Sequence, residues 1–341
     1  MQETPRQSES VRHIVECRNP LDDVLIFSGS AHRTLARSIA SYLGLELGPS
    51  TINKFSNDNF YIQLGTSVRA KQVFIVQPLC PPCSDHLMEL LLMLDIARSG
   101  GAKDVCALIP YYSYARSDKK DAPRISIAAR LVADLMTTAG ATQVITMTLH
   151  SAQVHGFFSV PTDHLTAHSV FVEHLRKKDL SNSVVVAPDI GTAKRAAKLA
   201  RALELPIAAG EKSRVSDNKV VVAGIMGDVK GRDVILLDDE IATAGTIDEI
   251  IRLMQREHGI GRITVVGTHG LFTGEAVERL NAIDAIDEIV VTDTVPQPPD
   301  RNLNRLVVLS VARIFGEVIR CNVQGKSVGA LFEFWPLPKH E

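Results

Sequence analysis

The feature that most constrains this chain is an alternation of short, apolar, β-branched runs with amphipathic helical stretches, beginning at Asp23. The runs DVLIFSG, QVFIVQP, DVCALIP, QVITMTL, SVVVAPD, DVILLDD, RITVVGTHG and EIVVTDT are apolar on both faces rather than on alternate residues. Strands of that kind belong in a parallel sheet covered by helices on each side. The expected fold class is therefore α/β.

The alternation occurs twice. DVLIFSGSAHRTLARSIASYLGLEL runs strand, turn, helix and short strand, and VVVAPDIGTAKRAAKLARALELPIAAG does the same. LIPYYSYARSDKK then leads through a helix to QVITMTLH, as VILLDDEIATAGTIDEIIRLMQREHGIG leads to RITVVGTHG, and each half ends a strand with a histidine, His150 and His269. A repeat of this length points to a duplicated domain, and 341 residues exceed what one core usually holds. The expected organisation is a polar tail over 1–21, an N-terminal domain over 22–165, a C-terminal domain over 166–312 and a segment, 313–341, that packs back across the domains.

Hydrophobic residues at 45% and charged residues at 22% are ordinary globular composition. A net charge of -2 gives no electrostatic reason to expect nucleic acid or an anionic membrane as partner, so any bound anion needs a local site. No apolar run reaches the roughly 20 residues that cross a bilayer, and the N-terminal residues lack the apolar core of a secretory signal. A cytoplasmic location is expected. The cysteines, Cys17, Cys80, Cys83, Cys106 and Cys321, are odd in number and scattered, so reduced thiols are expected. Cys80-Pro-Pro-Cys83 has no second pair at metal-site spacing and reads as a structural turn.

Chemistry concentrates in Val234–Thr246. The strand ends in adjacent carboxylates, Asp238 and Asp239, and a loop of small and hydroxyl residues, Ala242-Thr243-Ala244-Gly245-Thr246, opens a helix. The main-chain N–H groups of such a loop cradle an anion, and the threonine hydroxyls donate to phosphate oxygens. Paired carboxylates suit the cis diol of a ribose, or a metal upon it. An ordinary acidic N-cap is the plainer reading of the same residues.

This loop resembles the phosphoribosyl-binding loop of type I phosphoribosyltransferases and of ribose-phosphate diphosphokinases. IPYYSYARSDKK, TMTLHSAQVHGFFSVPTDHL, VVVAPDIG and GEKSR resemble the diphosphokinase, in the same order, and the similarity runs from about Asp23 to Phe332. The resemblance implies two tandem type I phosphoribosyltransferase-like domains, ATP on the first and ribose 5-phosphate on the second. It implies Mg2+ as cofactor and transfer of the β,γ-diphosphoryl group of MgATP to the anomeric hydroxyl, giving 5-phosphoribosyl 1-diphosphate and AMP.

Carried onto this chain, the resemblance implies that Phe55, Asn57, Asn59, Arg116 and Ser117 bind ATP and that His150 and Asp189 serve the metal. Asp238, Asp239, Ala242, Thr243, Ala244, Gly245 and Thr246 would bind ribose 5-phosphate, and Lys212 and Arg214, on a flexible loop, would be catalytic. Arg69, Ser327 and Phe332 match an allosteric site, and the family assembles as homo-oligomers, usually hexamers of dimers, whose adjacent subunits complete the ATP site. Taken singly, Phe55 and His150 would more often be core residues, and Lys212 and Arg214 a solvated surface.

The chain departs from the family pattern in places. Asn57, Asp58 and Asn59 stand where Asp, Gly and Glu are usual, and an amide donates as well as accepts. Ala242 replaces an aspartate of the loop and Ala244 a glycine, which works against a positive φ at that position. Thr148 stands where an aspartate often precedes the Leu-His pair, and Gly329 replaces a serine of the allosteric site. Two other readings fit a changed site: a regulatory or weakly active homologue, and a phosphoribosyltransferase that consumes the product. MgATP dependence separates the last from a diphosphokinase.

Overall fold

The computed structural model describes residues 19–216 and 219–329, the side chains of 212–223 excepted. In chain order the first half holds β1 (Val24–Ser28), α1 (Arg33–Tyr42), β2 (Ser50–Lys54), β3 (Phe60–Leu64), β4 (Gln72–Val76), α2 (Cys83–Ser99), β5 (Asp104–Ile109), α3 (Ala128–Ala139), β6 (Gln143–Met147) and β7 (Thr162–Leu165). The second holds α4 (His168–Leu175), β8 (Ser183–Ala187), α5 (Ile190–Leu203), β9 (Ile207–Ser216), β10 (Lys219–Met226), β11 (Asp233–Ile241), α6 (Gly245–His258), β12 (Ile263–Gly270), α7 (Ala276–Asn281), β13 (Ile286–Thr292), β14 (Leu306–Leu309) and α8 (Ala312–Val323).

The strands form a sheet in the order β1-β4-β5-β6-β7, a second in the order β10-β9-β8-β11-β12-β13-β14, and a separate hairpin of β2 and β3. Every pair in the first sheet is parallel. The second is parallel apart from the antiparallel pair of β9 and β10. The apolar runs are buried throughout: Val73 to Val76, Val105 to Ile109 and Val184 to Ala187 contribute side chains to both sheet faces. Helices start and stop where local chemistry dictates. Asp189 caps α5 by accepting the Thr192 N–H at 3.0 Å, and Gly259, at φ 55°, ends α6.

One apolar cluster joins the halves: it contains Ile26 and Leu108 of the first sheet, Phe171 of α4, Val185 and Leu237 of the second sheet, and Phe315 and Ile319 of α8. The last helix, α8, follows the second sheet yet lies on α1 of the first half. A Cβ on Gly316 would meet the Tyr42 ring at 2.3 Å, Tyr42 hydrogen-bonds Glu317, and Asn322 donates to Asp163 of β7 at 3.2 Å. The halves are thus held together on one side by burial of apolar surface, about 25 cal/mol per Å².

The structure corrects some of the boundaries expected from the sequence. The strand expected to end at its two carboxylates continues to Ile241, so Asp238 and Asp239 sit inside β11. Pairing with β12 holds that extension, Glu240 lying opposite His269. The segment carrying Lys212 and Arg214, expected as a loop, has the backbone of β9 paired with β10.

Candidate active site

Ligands of parallel α/β sheets gather beyond the C-terminal ends of the strands, and here the C-terminal end of β6 meets those of β11 and β12. His150, three residues past β6, places Nδ1 2.7 Å from Asp239 Oδ2. Thr268 donates to Thr148 Oγ1 at 3.3 Å, and His269 Nε2 donates to the Thr148 carbonyl at 3.2 Å. From α5, Arg195 donates to the carbonyls of Leu149 (3.4 Å) and His150 (3.1 Å) and lies 3.7 Å from Asp239. Arg116, which ends the helical turn Ser113–Arg116, reaches Glu240 at 3.5 Å, and the Tyr111 hydroxyl donates to Glu240 at 3.1 Å.

Beside these contacts lies a cleft of about 440 Å³. Arg116 and His150 line it from the first half; Asp189, Ile190, Gly191, Thr192, Arg195, Asp238, Asp239 and Thr246 line it from the second. The fold thereby brings Arg116 and His150 of the first half together with Asp189, Asp238, Asp239 and Thr246 of the second.

The carboxylate pair is electrostatically divided. Burial pushes the Asp238 carboxyl well up, and the neighbouring Asp239 pushes it further. Burial also opposes ionisation of Asp239, but the His150 and Asp238 hydrogen bonds and the Arg195 charge outweigh it, so Asp239 lies below the usual range. The two neighbouring carboxyls are thus pushed in opposite directions, Asp238 toward the protonated form and Asp239 toward the ionised one. Burial raises Glu240 as well, against the Arg116 charge and the Tyr111 hydrogen bond.

The loop after β11 is anchored by its carbonyls. Ile241 O accepts from Leu271 N at 3.0 Å, Ala242 O from Thr273 N at 2.9 Å, and Thr243 O from Arg279 at 3.3 Å. The first N–H groups of α6 have no intrahelical acceptor and no side-chain cap. Ala244 takes φ 58°, so the alanine adopts the left-handed turn despite its Cβ. Gly245 begins α6, Ala242 is half-buried and Thr243 is exposed at the rim.

The nucleotide-side residues separate. Phe55, Asn57 and Asn59 form the tip of the β2–β3 hairpin, Phe55 being 54% exposed, and none of them lines the cleft. The Asn57 side chain accepts the Asn59 N–H at 3.3 Å, and the Phe55 ring centroid lies 6.4 Å from that of Tyr61. The Ser117 hydroxyl is engaged with the backbone at Ser126 and Ala128, each at 3.2 Å, and does not line the cleft.

The Lys212 and Arg214 side chains lie outside the described residues. The β9 backbone pairs with β8 as far as Ala187↔Ala209 and then continues, carrying both positions beyond the strand end where Asp189 sits. Arg69 is exposed between β3 and β4, and Ser327, past α8, accepts the Gly329 N–H at 3.1 Å; the two share no hydrogen bond, and Phe332 lies outside the described residues. Arg195, Glu240 and Tyr111 join the site without having been singled out. All three stand in quoted motifs, but only the fold brings Arg195 to Asp239 and Tyr111 to Glu240.

Among the described residues no three His, Cys, Asp or Glu side chains form a ready metal cage. Mg2+ binds through one or two protein ligands and fills its shell with water and substrate phosphate. His150, with Nδ1 committed to Asp239, directs Nε2 elsewhere, and Asp189 lines the same cleft. This donor set fits the ion.

Comparison with known proteins places this geometry. Residues 24–140 match the N-terminal domain of ribose phosphate pyrophosphokinase, and residues 213–333 the phosphoribosyl synthetase-associated domain. A ribose-phosphate pyrophosphokinase of Deinococcus radiodurans is 48% identical, the match covering 92% of this chain and 98% of that one. One of Wolinella succinogenes is 45% identical over 90% of this chain and 98% of its own. The crystal structure of phosphoribosylpyrophosphate synthetase from Mycobacterium smegmatis superposes with a TM-score of 0.83 at 36% identity, covering 89% of this chain and 99% of that one. The fold is a tandem pair of phosphoribosyltransferase-like α/β domains facing each other across a carboxylate-lined cleft. The chain belongs to the ribose-phosphate pyrophosphokinase family.

Proposed function

We propose that this protein transfers the β,γ-diphosphoryl group of MgATP to the anomeric hydroxyl of ribose 5-phosphate, giving 5-phosphoribosyl 1-diphosphate and AMP. The observation that carries the reading is the convergence of Arg116 and His150 from one half with Asp189, Asp238, Asp239 and Thr246 from the other around one cleft. The division into domains at 165/166 follows the same logic: one half presents the nucleotide, the other the sugar.

In this reading Asp238 and Asp239 hold the ribose hydroxyls, the carboxylate of Asp239 accepting from them. Thr243, Thr246 and the free N–H groups at Ala244–Gly245 hold the 5-phosphate at the start of α6, where the helix dipole favours an anion. Ala242 contributes backbone only. Arg116 meets the ATP phosphates with the part of its guanidinium that faces the cleft. His150 and Asp189 would hold Mg2+, which would supply charge neutralisation for the ATP phosphates. Because such a transfer passes through a loose transition state, alignment and electrostatics supply most of the rate, and no covalent enzyme intermediate is required. Lys212 and Arg214 meet the charge that develops on the bridging oxygen.

The hairpin tip with Phe55, Asn57 and Asn59 stands outside the cleft of its own chain. That favours an assembly in which the hairpin of a neighbouring copy stacks on adenine, so the active form is a homo-oligomer. Ser117 then shapes the turn that carries Arg116, and Arg69, Ser327 and Phe332 bind a phosphate or nucleotide effector. No described helix is long and apolar enough to cross a membrane. The substrates are cytoplasmic metabolites, in keeping with a cytoplasmic enzyme.

AMP release measured with ATP, GTP and CTP, each with Mg2+ and with or without ribose 5-phosphate, tests this function. Sugar-dependent AMP from ATP is expected; release that ignores the sugar contradicts the reading.

A further inference from the structure

At the junction of the halves, beneath the cleft, lies a cavity of about 10 Å³, walled by Tyr111, Thr148, His150, Asp239, Glu240 and His269. Thr148 on one wall takes φ 43°. A β-branched residue rarely enters that left-handed region, whereas aspartate and asparagine enter it readily. The backbone is therefore shaped for a short polar residue at 148. Glu240, which also lines the cavity, has a side chain only 11% exposed and spends both oxygens across the boundary, one on Tyr111 and one on Arg116. His269, opposite Glu240 in the strand ladder, donates to the Thr148 carbonyl, and its ring lies 4.9 Å from that of Tyr111, tilted by 60°. The cavity holds about one water, so two carboxylates inside it would repel at close range.

We infer that Glu240 is a positioning residue which supplies, from the second half, the carboxylate that position 148 lacks, and that it fixes Arg116 for the nucleotide. This rests on the proposed function, because it gives Arg116 the ATP phosphates to bind. Charge at one of the two walls, and not at both, sets the guanidinium against the strand that carries Asp238 and Asp239. The two positions should then be exchangeable.

The test is calorimetric titration of the full-length protein with MgATP, for the wild type, Glu240→Gln, Thr148→Asp and the double variant. Glu240→Gln, which keeps an acceptor for Tyr111 but loses the charge, should weaken MgATP binding by about tenfold. It should leave ribose 5-phosphate affinity within about twofold. The double variant should regain most of the loss, and Thr148→Asp alone should weaken binding by crowding two carboxylates. Wild-type affinity in Glu240→Gln, or a double variant no better than Glu240→Gln, overturns the inference. If the glutamine variant does not fold, Thr148→Asp alone decides: MgATP affinity equal to that of the wild type overturns the inference. Binding is read apart from turnover, so a wild type that binds MgATP in this pattern yet makes no product contradicts the proposed reaction and leaves the positioning role supported.

Discussion

His150 Nδ1 lies 2.7 Å from Asp239 Oδ2, the histidine just past β6 and the aspartate within β11, so this hydrogen bond spans the two sheets where they meet. It orients the imidazole, as a carboxylate hydrogen-bonded to one ring nitrogen orients histidines that serve metals.

Replacing Asp239 with Asn removes that control together with the charge. Turnover should fall about 10–100-fold, with a higher Mg2+ requirement. Initial rates across a Mg2+ series provide the check, and an unaltered Mg2+ dependence would count against the pairing.

Lys212→Ala should retain ribose 5-phosphate binding and lose turnover about a hundredfold to a thousandfold, the usual effect of removing one donor to developing charge. Equilibrium binding of the sugar phosphate and single-turnover AMP release separate the two effects. Full turnover would remove Lys212 from the chemistry.

Ala244 carries backbone strain at φ 58°, on the loop proposed to hold the 5-phosphate. Ala244→Gly should stabilise the protein by up to about 1 kcal/mol, the left-handed penalty less the extra freedom glycine has when unfolded. A urea titration that shows a loss of stability would contradict the assignment of strain.

Burial holds the imidazoles of His164, His168 and His269 down at about 4, against an ordinary value of 6.5. His164 Nε2 also accepts the Leu149 N–H at 2.9 Å, a bond that protonation would break. As pH falls below about 6.5 the unfolded chain takes up protons that the folded chain refuses until about 4. Stability should therefore be full above that window, decline through it by up to about 1.4 kcal/mol per pH unit for each histidine, and level off below. Denaturant unfolding at pH 7.5, 6 and 5 reads this directly, and equal stability at all three would refute it.

Much of this architecture was legible because parallel strands buried on both faces leave continuous apolar runs: DVCALIP and SVVVAPD become β5 and β8 with little adjustment. The extension of β11 through Glu240 was not, because its polar residues are held by pairing with β12 and by partners from the other half. The site divides the same way. Asp238, Asp239 and Thr246 announce themselves by adjacency to a small-residue loop. Arg195 looks like any helix-surface cation until its contacts with Leu149, His150 and Asp239 are seen.

The most direct test of the proposed chemistry is phosphorus NMR of MgATP with ribose 5-phosphate and the wild-type protein. The account predicts equal growth of AMP and of a diphosphate ester on the anomeric carbon, without ADP. Formation of ADP, or ATP that persists unchanged while both substrates are bound, would contradict diphosphoryl transfer in this cleft.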